Sequence, residues 1–432
     1  MQSINTMNNY ERIQKRIERD KIRRASKKSS KNREYNDMNK VFTIEHHNNA
    51  MNMCKNGVMW KATAQKYCRN APYNALKLTD TYKTGDIILP HKIDKQRIRE
   101  RGKERIITPI SFDDRVSQRI ICNYSLLPIV ADTLISDNCA SMPNKGIDFA
   151  RKRIDEFLHI SRKKWGNKYY VLVTDFKNFF GSIPHIKCYN ALNKLYDNPA
   201  MVNLIMDIVK SYHIADVNNN KNLTSEEKGK CIRDINNLKG HGLCLGSQIS
   251  QLLALLVPNE IDHYIKNNQS VQMYLRYMDD CIVFHNDKEY LWELYSGMKK
   301  IAESLGLEFN ENKTKIVKIT KGFKFLKIHY RMEGNQIIRT LDHSTIVRQR
   351  RKLKKFKRLV DNGKMSYDDV YNSMQSWLSN LKYVNNSYYT KKSMLKLYDE
   401  LFDGYKITKK YFKKNEAYKC KTQNELLLKY KW

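Results

Sequence analysis

The sequence predicts an α+β protein, in which a small sheet and several helices share the core. Three observations support this prediction. A compact apolar strand runs from Val171 into Asp175, two strand-like runs flank Asp279-Asp280, and apolar residues after Arg331 recur at helical spacing. The chain has 432 residues, 41% of them hydrophobic, which is enough for one large core or two to three subdomains.

The charge of the chain indicates a polyanionic partner. The formal net charge is +34, and a field of that sign attracts phosphate backbones, so nucleic acid is the predicted partner. A membrane-surface role is the competing interpretation, but the longest apolar stretch, Leu252 to Val257, is too short to span a bilayer. The polar first fifty residues contain no secretory signal, and nine scattered cysteines without metal-ligand spacing predict reduced thiols. We therefore expect a cytoplasmic protein.

The first part of the chain is predicted to be basic and largely helical. Residues 1–40 form a basic extension, which is either a solvated charged helix or a contact to RNA. From Val41 to Tyr82 the mixed polar and apolar residues suggest short helices. The segment from Gly85 to Thr108 alternates strand-like runs with a very basic loop, Lys95 to Arg105.

The middle of the chain combines strands, turns and one polar span. After Asp175 the chain leads into a turn at Pro184, and the Asn- and Lys-rich span from His213 to Gly242 predicts an insertion or long loop. An apolar helix is predicted from about Ser250 past Ile261. The runs Met273 to Tyr277 and Cys281 to Phe284 then predict a tight hairpin with acids at its tip.

Three helices are predicted after the sheet region. Ser366 is a plausible N-cap between the first two. The apolar positions of the three helices are Leu353, Phe356 and Val360; Val370, Met374, Trp377, Leu378 and Leu381; and Met394, Leu397 and Leu401. Their basic outer faces suit a subdomain that grips a duplex, although a plain helical bundle explains the same spacing.

Asp175, Asp279 and Asp280 are candidate ligands for divalent metal ions. Transfer of a nucleotidyl group from a triphosphate uses two ions about 3.5–4 Å apart, and such hard ions prefer carboxylate oxygens. An Asp-Asp pair between strands is by itself more often a turn. The ordered combination of a strand-terminal Asp with two acids on a hairpin favours the metal site.

From Gly85 to Tyr330 the chain resembles reverse transcriptases. The first metal-binding motif is matched by Asp175-Phe-Lys-Asn-Phe-Phe-Gly-Ser-Ile, the template- and nucleotide-positioning motif by Gly242-Leu-Cys-Leu-Gly-Ser-Gln-Ile-Ser-Gln, and the catalytic hairpin by Tyr277-Met-Asp-Asp. Upstream, Gly102-Lys-Glu-Arg-Ile-Ile-Thr-Pro and Asp114-Arg-Val-Ser-Gln are similar to fingers motifs of the bacterial branches. Downstream, Asn310-Glu-Asn-Lys-Thr-Lys-Ile and Phe325-Leu-Lys resemble the closing motifs of the palm.

The resemblance implies a right-hand polymerase. It places a basic N-terminal extension at 1–40, fingers with part of the palm at 41–165, and a ferredoxin-like palm of antiparallel sheet and helices at 166–335. A small helical thumb at 336–405 and a basic C-terminal tail at 406–432 complete the expected organisation.

The resemblance also implies roles for the matched residues. Two Mg²⁺ ions, with Mn²⁺ as a substitute, are expected on the three aspartates and the backbone carbonyl of Phe176. Lys313, or failing it Lys315, is the candidate to protonate the departing pyrophosphate. The expected nucleotide-binding residues are Lys103, Arg105, Phe180, Leu245, Gly246 and Gln248. The expected template- and primer-binding residues are Arg115, Ser250, Gln251, Tyr277, Met278, Phe325, Leu326 and Lys327.

Phe180 is the residue that predicts the product. At five residues after Asp175 its ring is expected under the sugar, where it collides with a 2′-hydroxyl and so selects deoxynucleotides. RNA-dependent RNA polymerases resemble this palm but carry an acid at that spacing. The competing interpretation is a core phenylalanine like its neighbour Phe179.

Three departures from the family pattern bear on the branch. Leu245 stands where many reverse transcriptases carry Gln, and Lys327 stands where Gly usually follows Phe-Leu. The segment 140–146 lacks the Arg common in group II intron enzymes. Enzymes of diversity-generating retroelements share the aliphatic residue and the Ser250-Gln251 pair. No metal-binding endonuclease module is recognisable after the palm, which disfavours a mobile intron protein.

The expected function is RNA-directed DNA synthesis. We expect antiphage defence with a dedicated structured noncoding RNA, and a mutagenic enzyme of a diversity-generating retroelement is the alternative. An inactive palm kept as an RNA-binding scaffold is an alternative of another class, and template-independent terminal addition needs the same site. The expected partners are an RNA template, a DNA product and deoxynucleoside triphosphates; a homo-oligomer is compatible with the sequence and no membrane is expected.

Overall fold

The structure is a computed structural model that describes residues 34–84, 86, 96–100, 103–334, 336–385 and 387–405. The predictions for the basic segment before residue 34 and for the tail at 406–432 lie outside the described residues. Contacts divide the chain into two compact units. The first comprises Met1–Ala150, Thr174–Cys281 and Trp292–Thr314, and the second comprises Arg151–Val173, Ile282–Leu291 and Lys315–Trp432.

Helices dominate the described chain. In chain order the α-helices are α1 (Met38–Val41), α2 (Ile44–Lys55), α3 (Ala62–Arg69), α4 (Ala71–Lys83), α5 (Phe112–Ile121), α6 (Leu127–Thr133), α7 (Ile147–Trp165), α8 (Phe179–Ser182), α9 (His185–Asn193), α10 (Pro199–Asn219), α11 (Ser225–Asn236), α12 (Gln248–Leu256), α13 (Asn259–His263), α14 (Lys288–Ser304), α15 (His343–Asp361), α16 (Tyr367–Leu378) and α17 (Ser387–Phe402). Within the described ranges, no helix is both long and apolar enough to cross a membrane.

Nine strands among the described residues form three sheets. They are β1 (Gln96–Glu100), β2 (Lys103–Ile107), β3 (Tyr170–Asp175), β4 (Tyr274–Tyr277), β5 (Asp280–His285), β6 (Lys315–Lys318), β7 (Phe323–Phe325), β8 (Ile328–Glu333) and β9 (Gln336–Leu341). The four-stranded sheet has the order β4-β5-β3-β6, with β3 antiparallel to β6, and the others pair β1 with β2 and β7-β8-β9. The predicted α+β class and the hairpin around Asp279 are confirmed.

The prediction of a long loop between His213 and Gly242 is wrong, because two helices occupy most of this span. Helix α10 continues to Asn219, and α11 follows after a short turn. The apolar residues of α10 repeat at helical spacing and are buried, which outweighs the polar composition of its second half. Thr224 and Glu227 form a capping box that starts α11.

Two further boundaries differ from the predictions. The basic loop from Lys95 to Arg105 is largely strand, because β1 and β2 pair in an antiparallel hairpin with Ile98 opposite Arg105. The helix predicted past Ile261 ends at Leu256, and Pro258 caps the separate helix α13.

The second unit contains the predicted bundle of α15, α16 and α17. Its core is formed by Leu353, Val370, Tyr371, Met374, Trp377, Leu381, Met394, Leu395, Tyr398 and Phe402. Ser366 caps α16 in a capping box with Asp369, as predicted. In α15 only Gln349 and Leu353 are buried, so the many basic residues of this helix lie outside the core.

Candidate active site

A pocket of about 740 Å³ lies in the first unit. It is lined by β2, the end of β3, α8, the loop before α12 and the β4–β5 hairpin. Eight of the predicted site residues line it: Arg105, Asp175, Phe176, Phe180, Leu245, Met278, Asp279 and Lys313. The fold thus brings residues as far apart in the chain as Arg105 and Lys313 into one cavity.

Backbone hydrogen bonds hold the strand end against the hairpin tip. The N–H of Phe176 donates to the carbonyl of Asp279 at 3.3 Å, and the N–H of Asn310 donates to the carbonyl of Asp175 at 2.7 Å. Met278 has a φ of +55°, the left-handed conformation that lets the hairpin reverse within two residues. Asp175 and Asp279 are therefore neighbours through main-chain contacts.

A buried ion pair supports the hairpin from inside the first unit. Arg276 and Asp262 are both fully buried, and the guanidinium donates to both carboxylate oxygens at 2.7 to 3.0 Å. Arg276 also donates to the carbonyls of Leu255 and Met278, at 2.7 and 3.2 Å. Tyr274 donates to Asp262 at 2.6 Å. Because both charged groups are hydrogen-bonded, this network fixes the hairpin and links it to α12 and α13.

Asp280 is the first residue of β5 and is half-buried. Burial, and next the charge of Asp279, raise the pKa of the Asp280 carboxyl to about 7. Burial and the neighbouring charge disfavour the ionised form of Asp280. A cation bound beside two adjacent carboxylates would stabilise their ionised forms. The oxygen donors of the three aspartates fit Mg²⁺ in chemical type. In the described residues, however, no group of three or more acidic, His or Cys side chains is already gathered as a metal site.

Lys313 forms an ion pair with Asp175. Its ammonium donates to the Asp175 carboxylate, and its side chain is 51% exposed whereas that of Asp175 is 8% exposed. The pairing puts a positive charge on the carboxylate that is predicted to bind metal. The other candidate proton donor, Lys315, is an exposed residue of β6 in the second unit.

Phe180 projects from a run of packed aromatic rings. Phe309 stacks on Phe176 at 4.4 Å between ring centroids, Phe176 stacks on Phe179 at 5.2 Å, and Phe179 meets Phe180 edge to face at 5.6 Å. Both residues line the pocket, but Phe179 is buried whereas Phe180 is half-buried. The two adjacent phenylalanines therefore differ in exposure, and a sugar-selecting role needs the more accessible ring, that of Phe180.

The loop from Gly242 to Gly246 is anchored by its main chain. Leu243 N–H donates to the carbonyl of Phe180 at 2.7 Å, and the Gly242 carbonyl accepts hydrogen bonds from His185 and His213, each at 2.9 Å. Gly246 has a φ of +121°, and a Cβ there would lie 3.0 Å from the Thr108 carbonyl. Glycine suits this position because side chains rarely adopt this φ and because a Cβ would crowd the carbonyl of Thr108, the residue that follows β2.

The start of α12 is held by a buried hydrogen-bond chain. Ser247 caps the helix and donates to Gln118 at 2.8 Å, and Gln118 donates to Tyr212 at 2.6 Å. Ser250 is 2% exposed, and its N–H is bonded to the Ser247 hydroxyl. The structure therefore argues against direct contact of the Ser250 side chain with template or primer, because almost none of its surface is accessible.

Four other predicted residues of the first unit do not line this pocket: Arg115, Tyr277, Gln248 and Gln251. Arg115 is exposed on α5, Tyr277 ends β4, and Gln248 is the first residue of α12. Gln251 accepts a hydrogen bond from the Ser141 hydroxyl at 3.2 Å. The side chain of Lys103 lies outside the described residues.

Phe325, Leu326 and Lys327 belong to the second unit. Phe325 is 4% exposed, so its ring packs in the core and offers little surface to a primer, contrary to the prediction. Leu326 accepts a hydrogen bond from Arg151 through its carbonyl at 3.2 Å. Leu326 and Lys327 have φ values of +46° and +70°, which form the turn between β7 and β8.

Four pocket residues lie outside every motif quoted from the sequence: Tyr212, His213, Asp216 and His241. The first three come from α10, whose polar second half lies in the span predicted to be an insertion or long loop. The helical spacing of its apolar residues is the signal that could have revealed the helix, but nothing local to the chain indicates that this helix lines the pocket.

Comparisons with known proteins agree with the motifs. The family model described as reverse transcriptase (RNA-dependent DNA polymerase) matches residues 92–330, more than half of the chain. A search of curated protein sequences finds no match.

Two solved structures are similar in part. A telomerase from Candida albicans in complex with a fragment of telomeric RNA has 13% identity and a TM-score of 0.41, covering 78% of this chain and 63% of that one. An apo telomerase from Candida tropicalis, truncated from its C-terminal domain, has 13% identity and a TM-score of 0.38, covering 63% and 60%. This chain thus spans less than two thirds of either telomerase chain. On the family match, the chain belongs to the reverse transcriptase (RNA-dependent DNA polymerase) family, a family of nucleotidyltransferases.

Proposed function

We propose that this protein is an RNA-directed DNA polymerase that copies an RNA template into cDNA from deoxynucleoside triphosphates. The observation that carries the proposal is the shared pocket of Asp175, Asp279 and Phe180 in the first unit. Two acids and a ring that excludes a 2′-hydroxyl are the groups that template-directed DNA synthesis needs.

Asp175, Asp279 and Asp280, with the Phe176 carbonyl, are the proposed ligands of Mg²⁺. When bound, the ions would supply positive charge that lowers the barrier to attack by the primer 3′-oxygen and stabilises the leaving pyrophosphate. The protein contributes the positions of these oxygens through the hydrogen bond from Phe176 to Asp279 and the buried Arg276–Asp262 pair.

The roles of the other pocket residues are assigned from the chemistry that their side chains would bring to a bound nucleotide. Arg105 is exposed at the pocket and presents a guanidinium suited to triphosphate oxygens. Lys313 is the proposed proton donor to pyrophosphate, since its ammonium lies in the pocket and Lys315 does not line it. Leu245 removes a polar contact near the base and so favours relaxed base selection.

For the biological role we propose antiphage defence with a dedicated noncoding RNA as template. The net charge of +34 supports a structured RNA partner. The aliphatic Leu245 and the Ser250-Gln251 pair favour the alternative, a diversity-generating retroelement. Sequencing the DNA made in cells separates the two: products copied from one noncoding RNA support defence, and products that mutate a variable repeat would overturn it.

The catalytic proposal is tested by Asp279→Asn. With RNA template, DNA primer and Mg²⁺, we expect deoxynucleotide incorporation to fall by about a thousandfold, equivalent to roughly 4 kcal/mol of lost transition-state stabilisation. The measurement is primer extension by purified protein, with circular dichroism to verify that the variant is folded.

The matched control is Asp132→Asn, which changes an exposed acid outside the pocket and should leave incorporation unchanged. Full extension by the Asp279→Asn protein would reject the mechanism and favour an RNA-binding scaffold. Extension of the primer without any template would instead identify terminal addition.

A further inference from the structure

The turn before α3 and the helix α4 of the first unit carry exposed aromatic and apolar side chains. Trp60 is 77% exposed and Tyr73 is 67% exposed, and Met59 and Leu76 are also exposed. Large aromatic rings are usually mostly buried, so exposed rings close together in a chain indicate a binding surface.

The packing of α4 leaves Tyr73 and Leu76 on its exposed side. In α4, Ala75, Leu78 and Tyr82 are buried, and Tyr82 stacks on Phe42 at 4.9 Å between centroids. Helical spacing therefore puts Tyr73 and Leu76 on the opposite, exposed side, together with Lys77.

A hydrogen bond within the turn before α3 fixes the position of the Trp60 ring. Its indole N–H donates to the Gly57 carbonyl at 3.2 Å, and Gln65 donates to the Met59 carbonyl at 2.8 Å. The ring is thus preorganised before α3 begins rather than free to rotate into the core.

The charge around these rings is mostly positive. Residues 46–80 contain five Lys and Arg residues and one acid, Asp80, which is exposed on α4 three residues after Lys77. Lys61, Lys66, Arg69 and Lys77 are exposed, and the Lys61 ammonium lies 5.1 Å from the centroid of the Trp60 ring. The α3–α4 patch, defined as Trp60, Lys61, Lys66, Arg69, Tyr73 and Lys77, therefore joins stacking surfaces to phosphate-binding charges.

We propose that the α3–α4 patch binds single-stranded RNA, with unpaired bases stacked on Trp60 and Tyr73 and phosphates on the basic residues. This inference rests on the proposed function, because it supplies a grip on template before the template reaches the pocket. Unpaired bases offer both faces for stacking, whereas bases in a duplex do not. A region with five basic residues and one acid suits a polyanion better than a protein partner, whose interface usually carries the two signs in closer balance.

The packing connects the patch with the pocket inside the first unit. Helices α2 and α3 pack against α5, and the Cys54 thiol donates to the Arg115 carbonyl at 3.6 Å. Helix α5 in turn packs on α12, which begins at the pocket loop. The patch therefore stands on the same helices that support the pocket.

The test is the affinity of Trp60→Ala/Tyr73→Ala for a fluorescein-labelled oligouridine of about 20 nucleotides, measured by fluorescence anisotropy. Stacking contributes about 1–3 kcal/mol per base, so we expect affinity to fall at least about tenfold. Trp60→Phe/Tyr73→Phe keeps two aromatic rings and should bind within about threefold of the unaltered protein.

The control is Trp292→Ala/Tyr389→Ala, which removes exposed rings outside the patch. It should leave affinity unchanged. Lys61→Gln/Lys66→Gln/Arg69→Gln should lower the slope of log affinity against log salt by about 2, since each single-strand phosphate contact contributes about 0.7.

Failure of this inference is distinguishable from failure of the polymerase proposal. The Asp279→Asn protein should bind oligouridine normally even though it makes no DNA. Unchanged affinity in Trp60→Ala/Tyr73→Ala would overturn the patch as an RNA site and leave it as a protein-docking surface. An equal loss in Trp292→Ala/Tyr389→Ala would also overturn it, because binding would then not depend on the patch.

Discussion

Phe180 and Phe179 are adjacent phenylalanines that differ in exposure. Both line the pocket that Asp175 and Asp279 share, but Phe179 is buried between Phe176 and Phe180, whereas Phe180 is half-buried. The carbonyl of Phe180 accepts a hydrogen bond from the Leu243 N–H, which ties the main chain at Phe180 to the pocket loop. Under the proposed function, the choice between deoxynucleotides and ribonucleotides would depend on the bulk of the Phe180 side chain.

Phe180→Ala is expected to admit ribonucleotides. Removing the ring removes the clash with a 2′-hydroxyl, and a steric difference of this size corresponds to about a 10- to 100-fold loss of discrimination. The measurement is the ratio of kcat/KM for a deoxynucleotide to that for the matching ribonucleotide. Phe180→Tyr, which keeps an aromatic plate, should retain the ratio, and an unchanged ratio in Phe180→Ala would assign Phe180 to the core.

At the scale of elements, turns decide where strands end and reverse. The β7–β8 connection has two residues, Leu326 and Lys327, both with positive φ, and Phe325 pairs with Ile328 across it. Such a tight turn matches the twist of a hairpin but normally uses Gly or Asn. The departure of Lys327 from the family pattern therefore has a conformational cost.

Lys327→Gly is expected to stabilise the protein. A side chain in the left-handed region costs roughly 1–2 kcal/mol, and the greater freedom of Gly in the unfolded chain offsets about half of that. The net gain should be about 0.5–1 kcal/mol in the free energy of unfolding, measured by urea denaturation. Lys327→Ala loses the same charge but keeps a Cβ, so it should not gain stability. A loss of stability in the Gly variant would show that Lys327 makes a contact worth more than the strain.

At the scale of the whole molecule, buried titratable groups couple folding to pH. His185 is fully buried beside the Gly242 carbonyl, and burial lowers the pKa of its imidazole to about 4. An unfolded histidine titrates near 6.5, so between these values the unfolded chain binds a proton that the folded chain does not. Stability from His185 is therefore complete above pH 6.5 and is lost as pH falls toward 4.

The free energy of unfolding should fall by about 3 kcal/mol between pH 6.5 and 4 on account of His185. Burial raises the pKa of Asp399 to about 6, and burial together with the charge of Asp279 raises the pKa of Asp280 to about 7. Both shifts act in the opposite direction, so the comparison must be with a variant. His185→Gln keeps a donor for Gly242 and should flatten the decline. His159→Gln, which changes an exposed residue, should leave it as it is. An identical pH profile in His185→Gln would show that His185 is not the coupled group.

Much of this molecule depends on local chemistry and could be predicted. The strand ending at Asp175, the hairpin at Asp279 and the cap at Ser366 follow from residue spacing over a few positions. These elements form because neighbouring residues favour one backbone conformation and one buried face, which is information contained in a short stretch of chain.

Other features depend on packing between distant segments. Nothing near Arg276 indicates that Asp262 will be its buried partner, and nothing near Ser250 indicates that its hydroxyl will be covered. The polar half of α10 hides the fact that His213 and Asp216 line the pocket.

The order of the motifs, the α+β class and the kind of chemistry can thus be predicted from the chain, because each follows from local spacing and residue type. Which side chains share the pocket becomes known only from the folded protein. That outcome depends on long-range contacts and on which surfaces become buried, and neither is encoded at any single position.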